Sequence, residues 1–351
     1  MEVSASLEIA LEPCAAFDVV VDELRLALER NGLRLDEDRL CEGDVEVGEV
    51  VAWERGSRIA MRWWPAPWQR DAVTDVELRF EDAARKRTRV TLAHDGWARA
   101  IGDEKTELAG WFAGEVLAPL LRATAPVAFG DWLTDRAARR PSGTQAREVY
   151  RSPLYHFPNF AVLLEELALR PDDFLLEVGC GGGALLHRAL ESGCRAAAVD
   201  HSADMVRLAR EVNETAVAAG RLDVVQARAD ALPFDDARFT AAAMTGVLGF
   251  LPDPVAALRE IHRTLQVDGR LAMVGSDPEL RGTPAAPEPM ASRLRFYETA
   301  ELEQLARDAG FSDVRVERRT LGREAEDAGV PEEHLELFAS GPGARFLFAR
   351  K

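Results

Sequence analysis

Leu175 to Leu185 reads LLEVGCGGGAL: an apolar run containing one acid, Glu177, then Gly179, Gly181, Gly182 and Gly183, then the opening of an apolar helical pattern. Glycines at such a strand-to-helix junction let a ligand come close to the backbone and present amide N–H groups at a helix start. A tight turn with no ligand needs one or two glycines, and four cost extra conformational entropy on folding. The same letters also read G-x-G-x-x-A through Ala184, so a nicotinamide dinucleotide competes for the site.

Working outward, short apolar strands alternate with helical stretches: AAAV, DVVQA, FTAAAM, RLAMV and VRVER, with RFLFA closing the chain after no obvious helix. Such alternation implies an α/β domain with a largely parallel sheet covered on both faces. AAAVD ends on Asp200, where a carboxylate can accept both hydroxyls of a ribose, as a dinucleotide or any other nucleoside-bearing cofactor requires. Past the third strand, ARADALPF places Asp230 and Ala231 ahead of Leu232, Pro233 and Phe234.

With that motif the segment from about Tyr150 to Lys351 resembles the class I S-adenosylmethionine-dependent methyltransferases, of the small-molecule type that includes the ubiquinone and menaquinone biosynthesis enzymes. LLEVGCGGG, VDHSADMVRLAR, ADALPF, DPVAALREIHRTLQVDGRLAMV, RFYETAELEQLARDAGFSDVRVERR and the final ARFLFARK fall in the family's order. The resemblance implies a Rossmann-like domain over 154–351 with a seven-stranded sheet whose last strand is antiparallel, and S-adenosylmethionine as cofactor. It further implies that Gly179, Cys180, Gly181 and Gly183 face the methionine end, with Glu177 beneath them near the amino group. Asp200 would take the ribose hydroxyls, His201 and Met205 would flank the adenine, Asp230 would accept from its exocyclic amine beside Ala231, and Thr245 and Gly246 would border the methyl group. A methionine on the apolar face of a helix also reads as core.

The chain departs from the family after its fourth strand, where TGVLGFLPDP is mostly apolar. There is no N-P-P-Y or D-P-P-Y element, which counts against methylation of nucleic-acid adenine or glutamine amides. Methyl transfer from a sulfonium is an in-line displacement, so positioning does most and a base is needed only where the acceptor loses a proton. Tyr155 and His156, in YRSPLYHFP, are the candidate catalytic bases; His94, His187 and His262 read as structural or exposed. Asp253 with Pro254 reads as a helix N-cap and first turn, and Thr299 as another cap. The Pro-rich SDPELRGTPAAPEPMASRLRFY lies at the ligand-binding edge of an open α/β sheet, where Arg295, Phe296 and Tyr297 either line a substrate lid or anchor the next helix.

All seven tryptophans lie before residue 133, so the first part has a different core. It reads as a strand, a helix from about Ala15 to Arg30, a meander (VEVGEVVAWE, RIAMRWWP, VTDVELRFED, RTRVTLAHDGW) and a closing helix from Glu104 to Ala123. With IALEPCAAFDVV and TRVTLAHDGW this resembles the START-like superfamily (SRPBCC, polyketide cyclase relatives), which implies an α+β helix-grip: an antiparallel sheet around a long helix, often enclosing an apolar cavity. The tryptophans and Phe80 either line such a cavity or fill the core. The expected boundaries are 1–134, a polar linker at 135–153, and 154–351.

Sixty acidic against 43 basic residues give a net charge of −17, shared by both halves, which disfavours nucleic acid as a partner. Four cysteines with no C-x-x-C pair suggest neither a disulfide framework nor a metal site. No stretch reaches the ~18 apolar residues of a membrane span, and MEVSASLEIALEP does not read as a secretory signal, so the expectation is a cytoplasmic monomer or homodimer. The function expected is methyl transfer to a small, apolar or aromatic acceptor. The alternatives are a non-catalytic ligand-binding protein and a nicotinamide-dependent oxidoreductase.

Overall fold

A computed structural model describes residues 3–36, 38–64, 73–95, 113–124, 126–283, 285–340 and 344–351. The chain forms two compact units, Met1–Trp132 and Leu133–Lys351.

The first unit begins with β1 (Val3–Ile9) and α1 (Pro13–Arg30), followed by β2 (Leu33–Leu35), β3 (Arg39–Glu42), β4 (Val45–Glu54), β5 (Arg58–Trp63), β6 (Thr74–Asp82) and β7 (Thr88–Asp95). Every pairing is antiparallel, in the order β1-β7-β6-β5-β4-β3-β2. Pro13, which has no N–H to leave unpaired, occupies the first turn of α1. Phe17, Val20, Val21, Leu24, Ala27 and Leu28 then form one buried stripe at helical spacing, packed with Ile59, Leu78 and Val90 of the sheet. The short β2 and β3 extend the meander beyond the four strands expected after the helix.

Of the closing helix, Glu104–Phe112 lies outside the described residues, so Trp111 and Phe112 are not placed. A π-helical turn at Ala113–Leu117 runs into α2 (Ala118–Thr124), with Val116, Leu117 and Leu120 buried in the same core. Next comes α3 (Pro126–Thr134). A cavity of about 230 Å³ opens between α1 and the sheet, lined by apolar side chains and one amide, Asn31. Trp63 lines it; Phe80 does not, and packs on Phe17 at 5.0 Å between ring centres. Trp53 meets the edge of Phe17, Trp64 donates its indole N–H to the Glu46 carbonyl, and Trp132 stacks on Phe129. Trp68 and Trp97 also fall outside the described residues.

The second unit contains α4 (Gly143–Arg151), α5 (Phe157–Leu167), β8 (Phe174–Val178), α6 (Ala184–Ala189), β9 (Arg195–Asp200), α7 (Ala203–Val212), α8 (Glu214–Ala218), β10 (Leu222–Gln226), β11 (Phe239–Met244), α9 (Pro254–Thr264), β12 (Leu265–Gly275), α10 (Thr299–Asp308), β13 (Ser312–Arg319), α11 (Gly322–Asp327), α12 (Glu332–Ala339) and β14 (Ala344–Arg350). The sheet order is β10-β9-β8-β11-β12-β14-β13. The five strands from β10 to β12 are parallel, and β14 runs antiparallel between β12 and β13. Its central strands are built of Ala, Val, Leu and Met buried on both faces, as a covered parallel sheet requires.

Three expectations change. The polar stretch 135–153 does not stand apart as a linker but belongs to the second unit, where Ala146 and Tyr150 of α4 pack on Met205, Leu208 and Val212 of α7. Two short helices, α11 and α12, intervene before the last strand. The cap of α10 is Glu298 in a capping box with Glu301, not Thr299, which is the first helical residue. Asp253 caps α9 as expected, its Oδ1 accepting from the Ala256 N–H at 2.9 Å.

Candidate active site at the carboxyl edge of the second sheet

The glycine loop connects β8 to α6 and is tied to β9, with the Gly179 and Cys180 N–H groups donating to the Val199 carbonyl at 2.8 and 3.1 Å. Its glycines are required by space. Gly179 sits at φ +76°, where a Cβ would also lie 2.1 Å from Val247 Cγ2; at Gly182 a Cβ would lie 2.1 Å from the Tyr150 carbonyl oxygen. The loop is thus wedged between the end of α4 and the segment after β11.

Two acids stand beside it. β8 pairs with β9 in the register Glu177↔Ala198, and Asp200 lies two residues further, on the same face. Asp200 is 6% exposed; its Oδ2 accepts from the Gly181 N–H at 2.9 Å and its Oδ1 from the Ser202 N–H at 2.8 Å. Burial pushes this carboxyl up, and the two amides pull it back. Glu177 is 1% exposed, and its Oε2 has no hydrogen-bond partner among the described residues. Burial first, and then repulsion from Asp200, hold Glu177 well above the ordinary carboxylate range. The Cys180 thiol is raised for the same two reasons, burial and neighbouring acids, so it is a packed loop residue rather than a nucleophile.

The expected adenine side is more open. Ala231 is exposed, and so is His201, whose Nδ1 lies 3.8 Å from Asp200 Oδ1. Asp230 is held in a fork by Arg228, Nε at 2.8 Å and Nη2 at 2.6 Å, which keeps its carboxyl below the usual range. Met205 does not open onto the adenine side as expected: it is fully buried against Ala146 and Leu208, in the core where apolar helix faces place methionine.

On the methyl side, Thr245 and Gly246 follow β11, and a Cβ on Gly246 would meet nothing within 4 Å. The long connection after β12 is clasped at both ends by one buried guanidinium. Arg345 Nε donates to Asp277 Oδ2 at 2.8 Å, while its Nη1 donates to the Tyr297 carbonyl at 3.1 Å and to Glu298 Oε2 at 2.8 Å. Tyr297 is corrected too: it is fully buried, with its hydroxyl 3.4 Å from the Leu248 carbonyl, and it anchors the connection instead of lining it. Arg295 lies over the Tyr297 ring, and its N–H donates to the Gly249 carbonyl at 2.9 Å. No hydrogen bond or ring contact among the described residues ties the expected bases to the glycine loop: Tyr155 is exposed and shares a hydrogen bond with His334 Nδ1 at 2.8 Å, and His156 is exposed and stacked on Phe160.

Four residues to which the sequence motifs assign no role also border the site or its expected bases: Tyr150, Arg228, His334 and Asn213, whose Nδ2 donates to the Gly183 carbonyl at 3.0 Å. Arg228 alone carried a usable signal, since it stands two residues before Asp230 in the quoted motif.

An open sheet with a glycine loop at its carboxyl edge and an acid closing the next strand defines a nucleoside-cofactor-binding α/β domain. Dinucleotide folds order their strands 3-2-1-4-5-6, and the antiparallel β14 between β12 and β13 departs from that order. The family model described as a methyltransferase domain matches residues 176–273. An uncharacterized 37.1 kDa protein in transposon TN4556 of Streptomyces fradiae is 30% identical over 165 residues, 43% of this chain and 47% of that protein. The O-methyltransferase resE of Aspergillus sclerotiorum is 30% identical over 190 residues, 47% of this chain and 69% of that protein. The 2-phytyl-1,4-naphtoquinone methyltransferase of a Nostoc species is 31% identical over 108 residues, 30% of this chain and 47% of that protein. The chain belongs to the class I S-adenosylmethionine-dependent methyltransferases, and S-adenosylmethionine is the cofactor. It spans 47% and 33% of the first two curated relatives that it matches. No helix among the described residues is long and apolar enough to cross a membrane.

Proposed function

We propose that the chain transfers a methyl group to a small apolar or aromatic acceptor at the carboxyl edge of β8 and β11. The observation that carries this reading is the pairing of a backbone cradle, too tight for any Cβ at Gly182, with a buried carboxyl, Glu177, that lacks a partner for Oε2. Both suit the cofactor: glycines packed this closely on Tyr150 and Val247 leave backbone rather than side chains at the sheet edge, and an unpaired buried acid suits an ammonium group. When bound, the cofactor supplies an electrophilic methyl on a sulfonium sulfur.

In this reading Asp200 turns its remaining lone pairs to the ribose, Asp230 accepts from the adenine amine with Arg228 fixing its plane, and Glu177 receives the amino group. Val247, Leu248 and Leu251 give the methyl side an apolar wall that excludes water from the displacement. No base is hydrogen-bonded to the loop among the described residues, so positioning supplies most of the rate and the acceptor arrives with an available lone pair or carbanion, or loses its proton to Tyr155, His156 or His334. The first unit, with its antiparallel sheet, α1 and apolar cavity, is read as a START-like domain that binds an apolar ligand. The name of the Nostoc relative, a naphthoquinone methyltransferase, supports a small cyclic acceptor, and that of the fungal relative, an O-methyltransferase, supports transfer to oxygen.

The test is incubation with methyl-labelled S-adenosylmethionine and a panel of phenols, quinols, sterols, amines, protein and tRNA. Label in an apolar cyclic acceptor supports the proposal. Label only in polar or macromolecular acceptors refutes the acceptor class, and bound cofactor with no transfer to any member favours the ligand-carrier alternative.

A further inference from the structure

A carboxyl with no cation beside it and a second acid on the neighbouring strand must choose its protonation state before the cofactor arrives. Glu177 is 1% exposed, its Oε2 lacks any partner among the described residues, and no lysine or arginine pairs with it there. The titratable groups around it offer no compensating charge. From β9 comes Asp200, already holding the Gly181 and Ser202 amides; from the glycine loop comes the buried Cys180 thiol. From α4 comes Tyr150, whose phenol is pushed up to about 12 by burial and then by Asp200, and beyond Asp200 lies the exposed His201. Of the two acids Asp200 is the one with donors, so the negative charge belongs there and Glu177 carries a proton in the free protein.

We propose that binding of the cofactor's ammonium group ionises Glu177, so that each molecule of cofactor bound expels one proton to solvent. This rests on the reading that the amino group lies at Glu177. The Glu177 O–H bond breaks, its proton passes to buffer, and the carboxylate left behind accepts an N–H from the ammonium; no electron transfer or other co-reactant is involved. Cofactor affinity then depends on pH through a residue that does no chemistry on the acceptor. Two buried groups that repel each other as anions become tolerable together only when the ligand brings its own positive charge.

Calorimetric titration of the full chain with S-adenosylhomocysteine, at about pH 6.5 where the ligand amine stays charged, in phosphate and in imidazole, reads the proton directly. The expected result is an enthalpy that differs between the two buffers in the sense of proton release, and an affinity that tightens as the pH rises, by at most about tenfold per pH unit, the limit for one proton. The proton release should vanish for Glu177→Gln, which keeps the shape of the neutral acid. It should also be absent for 5′-methylthioadenosine, which carries the nucleoside and no amino group, in the unaltered protein. Homocysteine-linked binding with no buffer dependence, or with the same proton release for 5′-methylthioadenosine, overturns the inference while leaving the cofactor site intact. A proton release that persists in Glu177→Gln also overturns it. Absence of S-adenosylhomocysteine binding to folded protein would instead remove the reading on which it rests.

Discussion

Removing the Asp200 carboxylate tests the cradle and the ribose site together. In the folded chain Asp200 satisfies two amides, Gly181 N–H at 2.9 Å and Ser202 N–H at 2.8 Å, in a position 6% exposed. An unsatisfied buried donor costs ~1–3 kcal/mol, so Asp200→Ala should destabilise the second unit by ~2–6 kcal/mol, less whatever water entering the space recovers. Asp200→Asn keeps one acceptor and turns an NH₂ toward the other amide, so its cost should be about half, ~1–3 kcal/mol. At ~2–4 °C per kcal/mol for a unit of this size, even the smaller effect is visible as a lowered Tm. Two hydrogen bonds from ribose hydroxyls to a charged acceptor are worth at least ~3 kcal/mol, so S-adenosylhomocysteine affinity should fall more than ~100-fold in Asp200→Ala. Thermal melts, hydrogen exchange at Gly181 and Ser202, and calorimetric titration read the three effects. Unchanged exchange at both amides would show that Asp200 does not hold them, and ligand affinity within about twofold of the original would show that it does not hold the ribose.

Gly182→Ala isolates close approach from backbone strain, because this glycine has no positive φ and its Cβ would lie 2.1 Å from the Tyr150 oxygen and 2.6 Å from the Tyr150 carbonyl carbon. A cost of ~1–3 kcal/mol is expected, with faster tryptic cleavage after Arg147 and Arg151 as α4 lifts; an unchanged Tm and cleavage rate would contradict the packing. In the first unit, burial holds His94 at about 4, below its unfolded value of ~6.5. The neutral ring is favoured in the fold, so stability is full above pH ~6.5 and is lost as the pH falls toward ~4, by up to ~3 kcal/mol. Melting of the first unit should therefore depend less on pH in His94→Gln than in the unaltered chain across that window, and an identical dependence would rule His94 out as the cause.

The parts of the fold legible in the sequence are those where burial forces a simple pattern. AAAVD and FTAAAM could be read because a strand covered on both faces must be apolar throughout, and α1 because its apolar stripe repeats at helical spacing behind Pro13. β2 and β3 have three and four residues, too few for a period to declare itself. α4, α11 and α12 are short, α4 and α11 are mainly polar, and α4 hides Ala146 and part of Tyr150 against α7, so composition makes it look like a linker. In the site, the glycines and the two strand-borne acids are marked by position, at the ends of strands. Tyr297 and Met205 are not so marked, since the same apolar side chain serves a lid, a ligand wall or a core, and only burial separates them. The Arg228 fork on Asp230, the His334 contact of Tyr155 and the Arg345 clasp join residues through local geometry or long chain separations that spacing does not encode.

A crystal structure of the chain with S-adenosylhomocysteine decides whether Gly179 to Gly183, Glu177, Asp200 and Asp230 form one cofactor site. The ribose hydroxyls should lie on Asp200, the adenine amine at Asp230, the amino group at Glu177 and the sulfur facing Thr245 and Gly246. Ligand seated away from the glycine loop, or in the loop with the adenine and amino ends exchanged, would contradict this placement.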